Sequence, residues 1–165
     1  TKDKGEIMRI SIICVGKIKE KYFTMAIDEY CKRLSKYIKL NIVEIPDEKA
    51  PENLSLADEE NIKIKEGEKI LKSIKDEFVV ALCIEGKQLD SISLSNFIQD
   101  NMNKGISHIS FVIGGSLGLH KSVVDRANFK LSFSKMTFPH QLMRVILLEQ
   151  IYRAERILKN EPYHK

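Results

Sequence analysis

Three short stretches of this sequence bring together residue types that could do chemistry. In Gly114-Gly115-Ser116-Leu117-Gly118, the missing side chains let backbone N–H groups approach a ligand closely, although a tight turn can need such glycines for its geometry alone. The turn carries neither common nucleotide motif: a dinucleotide fingerprint from Gly114 would need glycine at Ser116 and Leu119, and a phosphate loop ending in Lys121-Ser122 would need it at His120. The second stretch, Phe133 to Arg144, interleaves polar Ser134, Thr137, His140 and Arg144 with large apolar residues. An imidazole at His140 can change charge near neutral pH and so accept a proton, or it can serve as a local hydrogen-bonding group near a helix start. Arg144 lies in the otherwise apolar run Leu142 to Leu148, so it must be paired or must serve an anionic ligand. The third stretch is Tyr163-His164-Lys165, whose aromatic ring, imidazole and cation suit stacking on a nucleic-acid base and contacting its edge, unless it is only a loose tail.

The elements that must position these groups follow from hydrophobic periodicity. Arg9 to Val15 reads as a buried strand ended by Gly16, and from Glu20 to Tyr37 the residues Phe23, Ala26, Ile27, Tyr30, Cys31, Leu34 and Tyr37 form the stripe of an amphipathic helix. Ile38 to Ile45 alternates as a strand, and a polar loop bounded by Pro46 and Pro51 leads to a less regular helix over about Ala57 to Ile74, weakened by Gly67. Phe78 to Ile84 is a fully buried strand type, followed by a helix capped by Ser93 and running to about Lys104. Ile109 to Ile113 and Phe129 to Phe133 are further strands, separated by a short helix over His120 to Ala127, and Pro139 opens a last helix to about Lys159. Five near-continuous apolar strands alternating with five helices predict one α/β domain, a parallel sheet covered on both faces. Ligands in such sheets sit beyond the carboxyl ends of the strands, which selects the loops after Ile84, Ile113 and Phe133. The all-round apolar character of Leu142 to Leu148 asks for two partners, the sheet and a second subunit.

Composition narrows the class. A chain of 165 residues with 43% hydrophobic content can bury one core without disulfides. Its longest unbroken apolar run, Phe78 to Ile84, is far short of the roughly 20 residues of a membrane span. The first seven residues lack the apolar region of a secretory signal, and Met8 directly precedes a strand. Residues 1–7 are therefore expected to be an extension on a domain of residues 8–165, working in the cytoplasm. Cys14, Cys31 and Cys83 are odd in number and far apart, which fits neither a disulfide framework nor a metal site and reads as reduced core thiols. Of the formal net charge of +4, residues 119–165 hold 9 basic against 4 acidic side chains, while the rest is nearly balanced, compatible with a phosphate-rich partner.

Thr137-Phe138-Pro139-His140 with Arg144, the run Glu149-Gln150-Ile151-Tyr152-Arg153-Ala154, and the terminal Pro162-Tyr163-His164-Lys165 together resemble the large-subunit ribosomal RNA pseudouridine N3-methyltransferases of the SPOUT class. Gly114-Gly115-Ser116 and Val15-Gly16-Lys17 fit as well, and the resemblance extends over Met8 to Lys165. Two positions depart from it: Leu117 stands where a more polar residue is usual, and Glu155 where relatives commonly carry an aromatic.

The resemblance implies the α/β knot, in which the C-terminal chain threads a loop to form a trefoil, and a homodimer. It also implies an S-adenosylmethionine site, carried over to Leu82, Gly114, Phe133, Ser134, Lys135, Met136, Thr137 and Phe138. The implied reaction is attack by N3 of a pseudouridine in a 23S ribosomal RNA stem-loop on the cofactor's methyl group, on an assembled ribosome and without a metal. For proton removal or base orientation the candidates are His140 and His164, with Tyr163 beside them. Arg144 and Arg153 are candidates for holding phosphate or base oxygens. Two other readings stay open at this point: a noncatalytic ribosome-binding factor on the same fold, and an unrelated nucleotide-dependent α/β enzyme such as a small oxidoreductase, against which the absent fingerprints argue.

Overall fold

The computed structural model describes residues 7–165, so the extension expected over residues 1–7 lies, apart from Ile7, outside the described residues. The chain forms β1 (Arg9–Val15), α1 (Lys21–Leu34), β2 (Lys39–Ile45), α2 (Leu56–Lys72), β3 (Phe78–Gln88), α3 (Ser91–Asn103), β4 (His108–Ile113), α4 (Lys121–Arg126), β5 (Phe129–Ser132) and α5 (His140–Leu158). The strands make one sheet in the order β2-β1-β4-β3-β5, and every pairing is parallel. The alternation of five strands and five helices predicts this arrangement.

Period-two side-chain alternation divides the core between the two faces. Ile10, Ile12 and Cys14 of β1, with Val80, Ile109 and Phe111, pack with Ile27 and Leu34 of α1, Leu94 and Ile98 of α3, and Leu147, Leu148 and Ile151 of α5. Ile13 and Val15, with Val79 and Val112, face the other way onto Ile70 of α2 and Val123 of α4. Ile12 and Phe111 are both wholly buried, and burial of a side chain of this kind stabilises the fold by about 1.5–3 kcal/mol.

Local chemistry adjusts several predicted boundaries. α3 begins at Ser91 rather than at a Ser93 cap, because Asp90 is the capping residue and its carboxylate accepts the Ser93 N–H at 2.7 Å. α2 is regular through Gly67: Ser55 and Asp58 form a capping box at its start. Gly67 is where α4 packs, since a β-carbon there would stand 3.2 Å from His120 Cβ. β3 continues beyond Ile84 to Gln88. Its pairing with β5 jumps from Leu82 to Lys87, both opposite Leu131, so residues 83–86 bulge from the strand. Gly86 permits the bulge, because a β-carbon there would meet the β5 backbone at 2.7–2.8 Å.

Candidate active site

The bulge within β3 and the loops after β4 and β5 converge on a cavity of about 590 Å³, within the range of small-molecule sites. Its wall is formed by Leu82, Cys83 and Ile84 from the bulged β3, Ile113 and the glycine turn from the end of β4, and the segment leading into α5. Of the eight residues the resemblance assigns to a cofactor, Leu82, Gly114, Phe133, Ser134, Met136, Thr137 and Phe138 line this cavity; Lys135 does not and points into solvent. Lys63 of α2, Glu85, Lys130 and Met143 also line it. Sequence reasoning missed these, and the break in β3 that turns Cys83 to Glu85 inward carries no signal apart from Gly86. Cys83 is thus part of the cavity wall and not a core thiol; Cys14 is the buried one, its thiol pushed up to about 12 by burial.

The glycine turn is closed on itself. Gly118 N–H donates to the Gly115 carbonyl at 3.0 Å, and Gly118 has φ of 84°, a conformation that suits glycine. A β-carbon on Gly114 would stand 2.8 Å from Gly118 C and 3.0 Å from its carbonyl oxygen, so its bare Cα is required by the turn itself. The loop after β5 is braced from within: Ser132 Oγ donates to the Ser134 carbonyl at 3.0 Å, and Met136 N–H donates to Ser134 Oγ at 2.9 Å.

His140 stands at the cavity edge as the first residue of α5. A β-carbon on Gly16 would lie 3.8 Å from its Nε2, which places the end of β1 against the ring. Burial, reinforced by the Arg144 charge, holds this imidazole below its ordinary value of 6.5, with Asp47 opposing. The ring is therefore neutral at neutral pH and able to accept a proton.

Arg144, one turn further along, is 1% exposed. Its Nη1 contacts Glu44 Oε2 at 2.6 Å and its Nη2 donates to the Gly16 carbonyl at 3.0 Å. The guanidinium thus ties α5 to the ends of β1 and β2 and does not line the cavity, although Nε has no partner among the described residues. Of the two roles its sequence context allows, the geometry shows pairing.

Arg153, Tyr163 and His164 form a separate cluster. Glu149 Oε1 accepts the hydroxyls of Tyr30 at 2.7 Å and Tyr163 at 2.9 Å, and its Oε2 accepts from Arg153 Nε at 3.0 Å. The Arg153 guanidinium lies 4.7 Å from the Tyr163 ring centre, and its Nη1 is 3.1 Å from His164 Nδ1. Tyr163 also packs edge-on against Tyr152 at 5.0 Å. The tail is therefore held down, but not at the cavity: the helical rise of 1.5 Å per residue puts Arg153 roughly 20 Å along α5 from His140.

Residues 8–164 match a family model described as a predicted SPOUT methyltransferase. The chain belongs to the SPOUT methyltransferase family. It is 64% identical over 159 residues to the ribosomal RNA large subunit methyltransferase H of Clostridium botulinum (strain 657 / Type Ba4), covering 96% of this chain and all of the relative. The proteins of the same name from Clostridium tetani and Alkaliphilus oremlandii are each 62% identical over the same length and coverage. Among solved structures, a probable methylase family protein of Haemophilus influenzae aligns with a TM-score of 0.54 at 11% identity, covering 96% of this chain and 71% of that one. The tRNA (m1G37) methyltransferase of Aquifex aeolicus aligns with a TM-score of 0.50 at 13% identity, covering 88% and 69%. At such identities the two structures speak for the fold of this SPOUT chain and for nothing finer.

Proposed function

We propose that this chain transfers a methyl group from S-adenosylmethionine to N3 of a pseudouridine in large-subunit ribosomal RNA, acting in the cytoplasm on an assembled ribosome and as a homodimer with the knotted topology of its class. The observation that carries the reading is the cavity: seven of the eight residues assigned to the cofactor by resemblance line one space at the β3 bulge and the carboxyl ends of β4 and β5, with a neutral His140 at its edge. The full-length relatives, named as large-subunit ribosomal RNA methyltransferases, support the substrate class.

The cavity fits the cofactor in size and in kind. Leu82, Ile113, Phe133 and Phe138 offer apolar walls for a purine ring, and the turn at Gly114 brings main-chain groups to the cavity wall. When bound, S-adenosylmethionine supplies an activated methyl group, so the protein's work is alignment and removal of one proton. His140 is placed to accept the N3 proton because burial keeps it uncharged. Arg144 fixes the helix start on which His140 rides, through Glu44 and Gly16. The tail cluster does not line its own cavity: Glu149, which holds Tyr163, lies roughly 9 Å along α5 beyond Met143 of the cavity wall. α5 leaves Leu142, Val145 and Ile146 only half-buried, an apolar strip suited to a second copy. Pairing along it would bring the partner's tail to the cavity, so that Tyr163, His164 and Arg153 act on a base bound in the other protomer's site.

The test is calorimetric titration with S-adenosylmethionine, followed by transfer of a labelled methyl group to bacterial ribosomes and mapping of the modified nucleotide. Binding with methylation at a pseudouridine N3 is expected. Ribosome association without cofactor binding would overturn the enzymatic reading, and methylation of another atom would overturn the substrate assignment.

A further inference from the structure

The segment joining β1 to α1 holds a charged and aromatic surface that the cavity chemistry does not use. Lys17, Lys19 and Lys21 are all exposed, and Tyr22 and Met25 keep 66% and 68% of their surface in solvent. The Tyr22 ring leans on Phe23, with centres 4.7 Å apart, which holds it out from the helix. None of these three lysines makes an ion pair among the described residues, and what sets them apart from other unpaired surface lysines is that they are grouped on one short segment around an exposed aromatic ring. The one acid among them, Glu20, is half-buried, with Oε1 out of solvent and unpartnered. The location is specific: the segment leaves the carboxyl end of β1 at Gly16, which abuts the His140 ring at the cavity edge.

We infer that Lys17, Lys19, Lys21 and Tyr22 form an RNA-docking surface beside the cavity. The lysines hold phosphates of the strand that presents the target base, and Tyr22 stacks on an unpaired neighbouring base. Lysine contacts to phosphate position a nucleic acid without reading its sequence, and aromatic stacking is the usual partner of such contacts on single-stranded segments. Charge complementarity favours RNA over an apolar partner, because three exposed cations without ion-pair partners lie on the same short segment as the exposed ring. The inference rests on the proposed ribosomal RNA substrate and adds contacts beside the cavity to any made by the C-terminal basic residues, of which Arg144, Arg153 and Arg156 are engaged in ion pairs.

The experiment uses the full-length protein in two variants, the triple Lys17→Gln, Lys19→Gln, Lys21→Gln and the single Tyr22→Leu. Each is assayed by co-sedimentation with bacterial large ribosomal subunits and with protein-free large-subunit RNA over a series of salt concentrations. S-adenosylmethionine affinity, steady-state methylation and the association state are measured alongside. The triple variant should flatten the dependence of log affinity on log salt by about two to three. It should raise KM for the subunits at least about tenfold, with cofactor affinity and kcat nearly unchanged. Tyr22→Leu should raise KM severalfold with the salt slope intact, as loss of one stacking contact predicts. An unchanged slope and KM in the triple variant would overturn the proposal. So would weakened binding to subunits with parent-like binding to protein-free RNA, which would make the partner a ribosomal protein. A monomeric Tyr22→Leu variant would overturn it too, by assigning the patch to a second copy of this chain. If the parent methylates no ribosomal substrate, the proposed function fails, while the salt slopes still decide the docking surface.

Discussion

Glu155 gives the sharpest quantitative test of this structure. It sits on α5 with 6% of its surface exposed, and burial raises its carboxyl from the ordinary 4.5 to about 7, with the Lys159 charge opposing. A raised carboxyl binds its proton more tightly in the folded state than in the unfolded one, so stability is greatest below pH 4.5 as far as this group is concerned. It then falls as the pH rises toward 7, because the unfolded chain releases the proton first. The gap of about 2.5 in pH, at 1.36 kcal/mol per unit, corresponds to about 3 kcal/mol lost between those limits. Glu155→Gln removes the titration while keeping the shape and a neutral polar head. The variant should match the parent near pH 4 and exceed it by about 3 kcal/mol at pH 8, or by roughly 6–12 °C in Tm for a chain of this size. Urea denaturation of both proteins at fixed concentration across this range measures it, the fixed concentration removing the effect of subunit association. Parallel stability curves for parent and variant would refute the argument by showing that Glu155 is charged and compensated in the folded protein.

Other substitutions test the site. Gly114→Val drives a branched side chain into the Gly118 backbone and should weaken S-adenosylmethionine binding by about tenfold or more; calorimetry with unchanged affinity would detach the glycine turn from the cofactor. Deleting Tyr163 to Lys165 should abolish methyl transfer while sparing dimerisation and most cofactor affinity, and mixing that truncation with Gly114→Val subunits should restore about one working site per mixed dimer; proven mixed dimers without activity would contradict a shared site. If the neutral His140 accepts the proton, kcat should fall as pH drops below 6.5 and stay flat above it, and His140→Gln should remove this limb from the pH profile. Arg144→Ala leaves Glu44 and the Gly16 carbonyl unpaired and should cost about 2–3 kcal/mol in denaturant titrations, the low end for a broken buried pair because Glu44 is partly solvated. Arg153→Ala should lower the salt slope of ribosome binding by about one if Arg153 meets a phosphate, whereas reduced kcat with an unchanged slope would assign it to holding Tyr163 and His164.

What the sequence made legible follows from where its physics is local. Central parallel strands buried on both faces are nearly apolar throughout, so β1, β3 and β4 declare themselves, and a helix stripe repeats every three or four residues, so α1 does too. The three stretches after Ile84, Ile113 and Phe133 could be picked out because each apolar run ends in a break visible in the chain, and all three contribute to the cavity, although the first is a bulge within β3 and not a loop at its end. The rest depends on contacts between distant segments. Gly67 reads as a helix weakness until α4 is seen to need its bare Cα. Asp90 and Ser93 are equally good caps in isolation, and the carboxylate accepting the Ser93 N–H decides between them. Arg144 illustrates the limit most clearly. An arginine in an apolar helix says only that its charge is answered somewhere, and the answer, Glu44, is a hundred positions away, on an edge strand where its carboxylate looks like any solvated acid. Its pairing shifts the burden of RNA contact to cations that no acid answers. On the described surface those include Lys17, Lys19 and Lys21, in a stretch whose charges had balanced out in a count taken over two thirds of the chain. Net charge by segment hides such a patch, because in a parallel α/β fold the side chains that surround a site come from loop ends scattered along the whole sequence.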